Sequence, residues 1–395
     1  MFALRDESNR RFSVAALCVL ACPLWVSCSR RTSPPPVATQ PSLKSLVSEG
    51  EWEAVVEKLK GPDAMRRVEE CGRFDDGSTL LIKAAFLRHP EVVQLLLAIG
   101  VSAAETDAAG RTALSWAVFG QDADSARYLV QAGLSLSTPD RQGTWAMLFA
   151  DRGSPEFVEQ LVKLGGDLCQ RAGSEDTLLH RALARGNATL AQWLLDDTRR
   201  CPTWREDRWD LMEASMYISG DEARSIWSKL LEGVDPTHDE ARTRMVALLV
   251  RASEVNNLDA VQYLLSLEVD PRHPDSDGWL PLVRAVAPMT GIDSGKHSAE
   301  RIRMVRALVG AGADIHEREP CLGKTPLESA VAQGSPEMVE ELIRLGARLQ
   351  EVPNSSAESI DLLLASRERH SKKEAARVAE IREILKRAVD ARPAR

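Results

Sequence analysis

The chain has 395 residues, which is too many for one compact core, so several domains or one repeat array are expected. With 44% hydrophobic and 27% charged residues, its composition is that of a folded globular chain. The formal net charge of −8 argues against a general nucleic-acid binder, because such binding depends on lysine and arginine side chains that neutralise phosphates.

The first residues of the chain are typical of an export signal. Arg5, Arg10 and Arg11 precede an uncharged apolar run over residues 12–26. This run is shorter than the roughly 20 residues that a membrane-spanning helix needs, and Pro23 interrupts it. A secretory signal therefore explains the segment better than a transmembrane helix does.

The apolar run ends in a sequence that resembles a bacterial lipoprotein signal. Residues 24–28, Leu-Trp-Val-Ser-Cys, place a small residue directly before Cys28, although Trp25 stands where the motif prefers an aliphatic residue. Residues 19–22 match the motif better, but Pro23 follows Cys22 at once. We predict a signal peptide over residues 1–27, lipidation at Cys28 and a Pro-rich tether over residues 28–41. An ordinary cleaved signal and an uncleaved anchor without lipid are the alternatives.

A motif recurs along the rest of the chain at intervals of about 33 residues. Residues 107–114 read Asp-Ala-Ala-Gly-Arg-Thr-Ala-Leu, and altered copies begin near residues 76, 140, 176, 278 and 323. An alanine stands five residues after the threonine position in the copies at Ala84, Ala117, Ala182, Ala285 and Ala330. A second apolar stretch with i, i+3, i+4 spacing then predicts a helix. Glycines that end this helix are Gly100, Gly133, Gly165, Gly312 and Gly346.

This pattern resembles the ankyrin repeat, most clearly at residues 323–327, Gly-Lys-Thr-Pro-Leu, and residues 310–314, Gly-Ala-Gly-Ala-Asp. The resemblance implies an all-α repeat solenoid with short β-hairpin loops and about ten stacked helix pairs. The expected solenoid covers residues 42–392. Its parts are an N-terminal cap (42–75), ankyrin repeats (76–197), degenerate repeats (198–271), further ankyrin repeats (272–350) and a C-terminal cap (351–392).

The cysteines beyond the signal, Cys71, Cys169, Cys201 and Cys321, are far apart and form no Cys-x-x-Cys pair, which argues against a zinc site. Cys169 and Cys201 are about one repeat apart, and neighbouring layers are too distant for a disulfide. We therefore expect free cysteines with structural roles; one loop disulfide is the alternative.

The resemblance also indicates a binding surface. In ankyrin proteins the residue before the repeated alanine varies and faces the concave groove where partners usually bind. This reasoning selects Lys83, Trp116, Arg181, Arg251 and Arg284, with Arg185 one turn later. Arg152 joins them if the fourth repeat, counted as one residue short, keeps its register. Arginine and tryptophan often dominate binding energies, so the expected partner is a protein with an acidic, partly apolar patch. The alternative is that these side chains are ordinary solvated or packed residues.

No arrangement of residues indicates an enzyme. The seven histidines are scattered, and no nucleophile, zinc-protease or phosphate-binding motif is present. We predict no catalytic residue, no metal and no cofactor.

The expected protein is a monomer in the bacterial cell envelope, attached by its N-terminal lipid and facing the periplasm, with the outer membrane favoured. It is secreted or periplasmic if it is not lipidated. The function predicted first is binding of a protein partner along the groove, as an inhibitor such as an immunity protein. A structural tether or assembly factor for an envelope complex is the alternative.

Overall fold

The structure is a computed structural model that describes residues 41–171, 177–196, 202–287, 298–319, 323–348, 364–365, 368 and 372–390. The predicted signal peptide, Cys28 and nearly all of the predicted tether lie outside the described residues. Most of the segment between the last predicted repeat and residue 372 lies outside them as well.

Short helices connected by loops make up the described chain. Their bounds are α1 Leu43–Glu49, α2 Trp52–Leu59, α3 Ala64–Cys71, α4 Leu80–Phe86, α5 Pro90–Ala98, α6 Ala113–Phe119, α7 Ala123–Gln131, α8 Pro155–Lys163, α9 Leu178–Ala184, α10 Ala188–Asp196, α11 Arg208–Ala214, α12 Asp221–Leu230, α13 Asp239–Glu254, α14 Leu258–Ser266, α15 Pro281–Val286, α16 Ser298–Gly310, α17 Pro326–Gln333, α18 Pro336–Arg344 and α19 Lys372–Asp390. A 3-10 helix at Ala146–Arg152 takes the place of an α-helix between α7 and α8.

The helices form two parallel rows. The first-helix row consists of α4, α6, the 3-10 helix, α9, α11, α13, α15 and α17, each packed against the next. The second-helix row runs from α2 through α5, α7, α8, α10, α12, α14, α16 and α18 to α19. Among the described residues the only β-structure is two isolated bridges, Thr106–Thr112 and Pro139–Trp145. The prediction of an all-α repeat solenoid is confirmed.

The repeated alanine explains how closely the first helices pack. Ala84, Ala117, Ala182, Ala285 and Ala330 are each fully buried. A methyl side chain lets neighbouring helix backbones approach closely, and a larger residue there would overpack the interface. This is the physical reason for the 33-residue rhythm of alanine in the sequence.

The loops before the first helices are tight turns held by an aspartate. The Asp107 amide donates to the Arg111 carbonyl at 3.0 Å, and Asp107 Oδ1 accepts from the Ala109 and Arg111 amides. Gly110 has φ +83°, and a Cβ atom there would lie 2.9 Å from the Arg141 backbone nitrogen. Glycine is therefore required both by the turn and by the close approach of the next loop.

The degenerate repeats continue the same stack. Asn187 Nδ2 donates to the carbonyls of Asp151 and Gly153 in the preceding layer, at 3.1 and 3.0 Å. Asn257, two layers later, makes the same pair of bonds to Met216 and Ile218 at 2.8 and 2.7 Å. The interlayer contact thus persists where the loop motif is lost.

The expectation that Cys169 is free was wrong, and the alternative of a disulfide holds for this residue. Cys169 is disulfide-bonded, and its partner lies outside the described residues. Cys169 follows the end of α8 in a loop, where the chain is not held at the helix spacing that the prediction assumed. Cys71 is free and buried, as expected.

Within the predicted C-terminal cap, residues 372–390 form α19, which packs against α18. Val378 and Ile381 of this helix are fully buried. In the part of the chain that the structure describes, no helix combines the length and apolar character that crossing a membrane requires.

Candidate functional site

The residues before the repeated alanine lie on helices of the first-helix row: Lys83, Trp116, Arg181 and Arg251 are half-buried, and Arg284 is buried. The structure adds Phe149 to this row. Phe149 stands before the fully buried Ala150, 33 residues after Trp116, so the register holds to this point. The fourth repeat is one residue short only after Ala150, because α8 begins 32 residues after α7. The spacing between Ala117 and Ala150 was the signal that could have found it.

Four aromatic side chains meet on this surface, and we call them the aromatic patch: Phe86, Trp116, Phe119 and Phe149. The Phe86 ring meets Trp116 edge-on at 4.9 Å, and Trp116 meets Phe119 edge-on at 5.7 Å. The Phe119 ring lies 6.1 Å from Phe86 and 6.4 Å from Phe149. These are favourable aromatic distances, so the patch connects three successive layers.

The rings at the rim of the patch are open to solvent. Phe86 is 37% exposed, Phe119 is 40% exposed, and the neighbouring Leu87 is 42% exposed. Phe86 and Phe119 each stand three residues after a predicted groove position, at the last residue of α4 and α6. Because i and i+3 share a helix face, the sequence did carry a signal for them.

A hydrogen bond and a neighbouring arginine fix the position of the Trp116 side chain. Its Nε1 donates to Asp107 Oδ2 at 3.0 Å, and the Arg111 guanidinium lies 4.2 Å from the ring centroid. Asp107 is 5% exposed; burial raises its pKa, but hydrogen bonds from the Arg111 amide and Trp116, with the charge of Arg111, lower it overall. The indole therefore acts as the fixed centre of the patch.

Lys83, at the N-terminal end of the first-helix row, forms an ion pair within the protein. Its Nζ lies 2.5 Å from Asp76 Oδ2 and 5.5 Å from the centroid of the Phe74 ring. Burial raises the pKa of Asp76, but hydrogen bonds from Lys83 and Ser78 outweigh it and bring the pKa to about 2. The Lys83–Asp76 ion pair thus lies at one side of the surface.

Three arginines surround one buried carboxylate at the other side of the patch. Asp151 is 5% exposed, and Arg185 Nε lies 3.4 Å from its Oδ2. Burial raises the pKa of Asp151 although Arg185, Arg181 and Arg152 attract its negative charge. The Arg181 guanidinium also lies 6.0 Å from the centroid of the Phe149 ring. Aromatic and basic side chains therefore lie next to each other in the layers that contain α6, the 3-10 helix and α9.

The matching family model is described as ankyrin repeats in three copies and covers residues 45–140. Residues 45–140 of the chain are therefore ankyrin repeats. No curated protein matches it. The matched stretch contains Phe86, Trp116 and Phe119, so three of the four residues of the aromatic patch lie within the matched ankyrin repeats.

The remaining predicted residues of the ankyrin array lie three and four layers further along the stack. Arg251 bonds Glu254 Oε2 and the Tyr217 hydroxyl, both at 2.9 Å. Arg284 is only 5% exposed, lies 3.5 Å from the centroid of the Trp279 ring, and approaches Glu254 at 3.9 Å. Both arginines line a polar cleft of about 290 Å³. The structure thus separates them from the aromatic patch, and Arg284 offers little surface to a partner.

Among the described residues, no group of three histidine, cysteine, aspartate or glutamate side chains could hold a metal ion. Ankyrin repeats, which match residues 45–140, are generally modules that bind other proteins. The surface features available to a partner are therefore apolar rings and charged side chains.

Proposed function

We propose that this protein binds a protein partner on its first-helix row, and that it does so in the bacterial cell envelope. The observation that carries the proposal is the aromatic patch with its exposed rim. Exposed apolar patches on otherwise well-packed proteins are typical of interaction sites, and aromatic residues often dominate the binding energy there.

Two further features support the envelope location. The N-terminal 28 residues have the pattern of an export signal that ends at Cys28, and we propose that this cysteine carries the lipid. Cys169 is disulfide-bonded, and disulfides persist in oxidising compartments such as the periplasm. The proposed arrangement is a solenoid that hangs from the membrane by its Pro-rich tether and presents the first-helix row to the periplasm.

The proposed role is inhibition of the partner, as an immunity protein does. A permanent tether or assembly factor is the alternative. The two roles differ in the partner they require, which is a soluble enzyme or toxin for an inhibitor and a membrane complex for a tether.

Photo-crosslinking in the native cells tests the proposal. A photoreactive phenylalanine analogue would replace Phe119 in the patch, Tyr217 elsewhere near the first-helix row, or Val162 on α8 of the second-helix row. All three positions are exposed, at 40%, 59% and 38%. We expect a specific protein adduct from the first-helix row and none from position 162. The absence of adducts from both positions 119 and 217 would contradict the proposal.

A further inference from the structure

We infer that the aromatic patch binds an extended acidic segment of the partner that carries two large apolar side chains. This inference rests on the proposed function. It limits the proposed binding site to the aromatic patch, out of the whole row of predicted groove residues. It also states the chemistry of the segment that binds there.

The apolar part of the inference follows from the ring geometry. The Phe86, Phe119 and Phe149 rings succeed each other along the stack in steps of 6.1 and 6.4 Å. An extended peptide places side chains i and i+2 on the same face, about 6.5 Å apart. Alternate apolar side chains of an extended segment therefore match the spacing of the layers.

The charged part follows from the turns beside the patch. Arg88 comes two residues after Phe86, and Arg152 three residues after Phe149; both are exposed. Within the described residues, neither guanidinium makes a direct hydrogen bond or salt bridge, although Arg152 is close enough to attract the buried Asp151 carboxylate. Arg185, in the next layer, reaches the buried Asp151. The edge of the patch thus has positive charge to offer to carboxylates of a partner.

Most of the cations that the sequence predicted for the groove already lie close to a carboxylate of the protein. Lys83 is paired with Asp76, while Arg251 and Arg284 approach Glu254. A partner carboxylate at those positions would have to displace a carboxylate of the protein itself. Charge complementarity therefore favours acidic residues that flank the apolar pair at Arg88 and Arg152, and disfavours a partner that runs the length of the array.

Peptide display tests the chemistry without knowledge of the partner. A random 12-residue peptide library would be selected on the full-length protein, and an enriched peptide measured by fluorescence polarisation. We expect enriched peptides to contain two apolar residues in alternate positions with aspartate or glutamate beside them. Enrichment of basic peptides, or of peptides without large apolar residues, would overturn the inference.

Three variants locate the binding. Phe86→Ala with Phe119→Ala should weaken the peptide at least ten-fold. Arg88→Glu with Arg152→Glu should weaken it at least five-fold, with recovery when the acidic residues of the peptide are changed to lysine. The matched control is Val162→Ala, an exposed apolar residue on the second-helix row, which should change the affinity less than two-fold.

The charge-reversal pair keeps the test decisive if removal of both phenylalanines disturbs the fold, because Arg88 and Arg152 lie on the surface. Unchanged affinity in both double variants would refute the inference. Crosslinks from position 217 and none from position 119 would refute the inference and leave the proposed function standing. An enriched acidic peptide with no crosslinked protein in cells would refute the proposed function and leave the surface chemistry standing.

Discussion

Asp107 connects the loop, the ion pair and the aromatic patch, so its replacement by alanine is a sharp test of how the surface is held. The carboxylate is 5% exposed and accepts four hydrogen bonds. Oδ1 accepts from the Ala109 and Arg111 amides at 2.9 and 3.0 Å. Oδ2 accepts from Arg111 Nε and Trp116 Nε1, each at 3.0 Å. Asp107→Ala removes all four bonds and leaves the indole nitrogen without this acceptor.

The expected magnitude follows from comparison with Asp140, the same position in the next loop. Asp140 Oδ1 accepts from the Gln142 and Thr144 amides at 2.9 and 2.8 Å, and within the described residues Asp140 bonds no arginine or tryptophan side chain. Hydrogen bonds to charged groups contribute about 1.5–3 kcal/mol each and are not additive. We expect Asp140→Ala to lower the free energy of unfolding by about 1–2 kcal/mol and Asp107→Ala by about 3–4 kcal/mol.

Urea unfolding followed by circular dichroism would measure the difference between the two variants. Because repeat arrays can unfold in parts, hydrogen exchange of α4 to α7 should accompany it, and we expect faster exchange there in Asp107→Ala. Equal destabilisation by the two substitutions would refute the reasoning. It would mean that the bonds to Arg111 and Trp116 add no net stability and that the indole is positioned by packing alone.

Three further predictions concern other parts of the array. Gly110→Ala should destabilise the protein by about 1–3 kcal/mol more than Gly143→Ala in urea unfolding. Both glycines have positive φ, but only at Gly110 would a Cβ atom meet the Arg141 backbone. Equal effects of the two substitutions would contradict this close approach. Two arginines hold the pKa of Glu341 at about 2, below its ordinary 4.5, so its contribution of about 1–3 kcal/mol should be present above pH 4.5 and lost as the pH falls toward 2. Thermal unfolding of wild type and Glu341→Gln should therefore differ at pH 7 and converge in acid, and a difference independent of pH would argue against the ion pairs. Cys169 should resist alkylation until a reductant is added, and mass spectrometry of unreduced peptides would identify its partner, whereas a freely labelled Cys169 would contradict the disulfide.

Much of the fold could be predicted because its determinants are local and repeat. The buried alanines, such as Ala117 and Ala285, recur at layer spacing, and each apolar stretch has helical periodicity. The stretch predicted as degenerate repeats, residues 198–271, contains the helix pairs α11–α12 and α13–α14. The 3-10 helix could not be predicted, since its residues follow the same pattern as the α-helices around it.

The candidate surface could be predicted only in outline. Trp116 was found because its position varies in the family, whereas Phe86 and Phe119 were missed although they share its helix face. Arg284 was expected to be accessible but is buried against Trp279. Exposure depends on the side chains of neighbouring layers, and a position within one repeat does not contain that information.

The sequence by itself therefore determined the solenoid, since a helix pair cannot bury its apolar face without the next layer and the 33-residue rhythm specifies that stacking. Only the tertiary structure decided which cations are paired, which rings meet, and that Cys169 is oxidised. Those properties arise between residues about one repeat apart, as in the approach of Phe86 to Phe119 across two layers. The sequence predicted a row of arginines as the candidate surface, whereas the structure shows an aromatic patch with a basic edge. The reason is that carboxylates of the protein itself already lie close to several of the predicted cations.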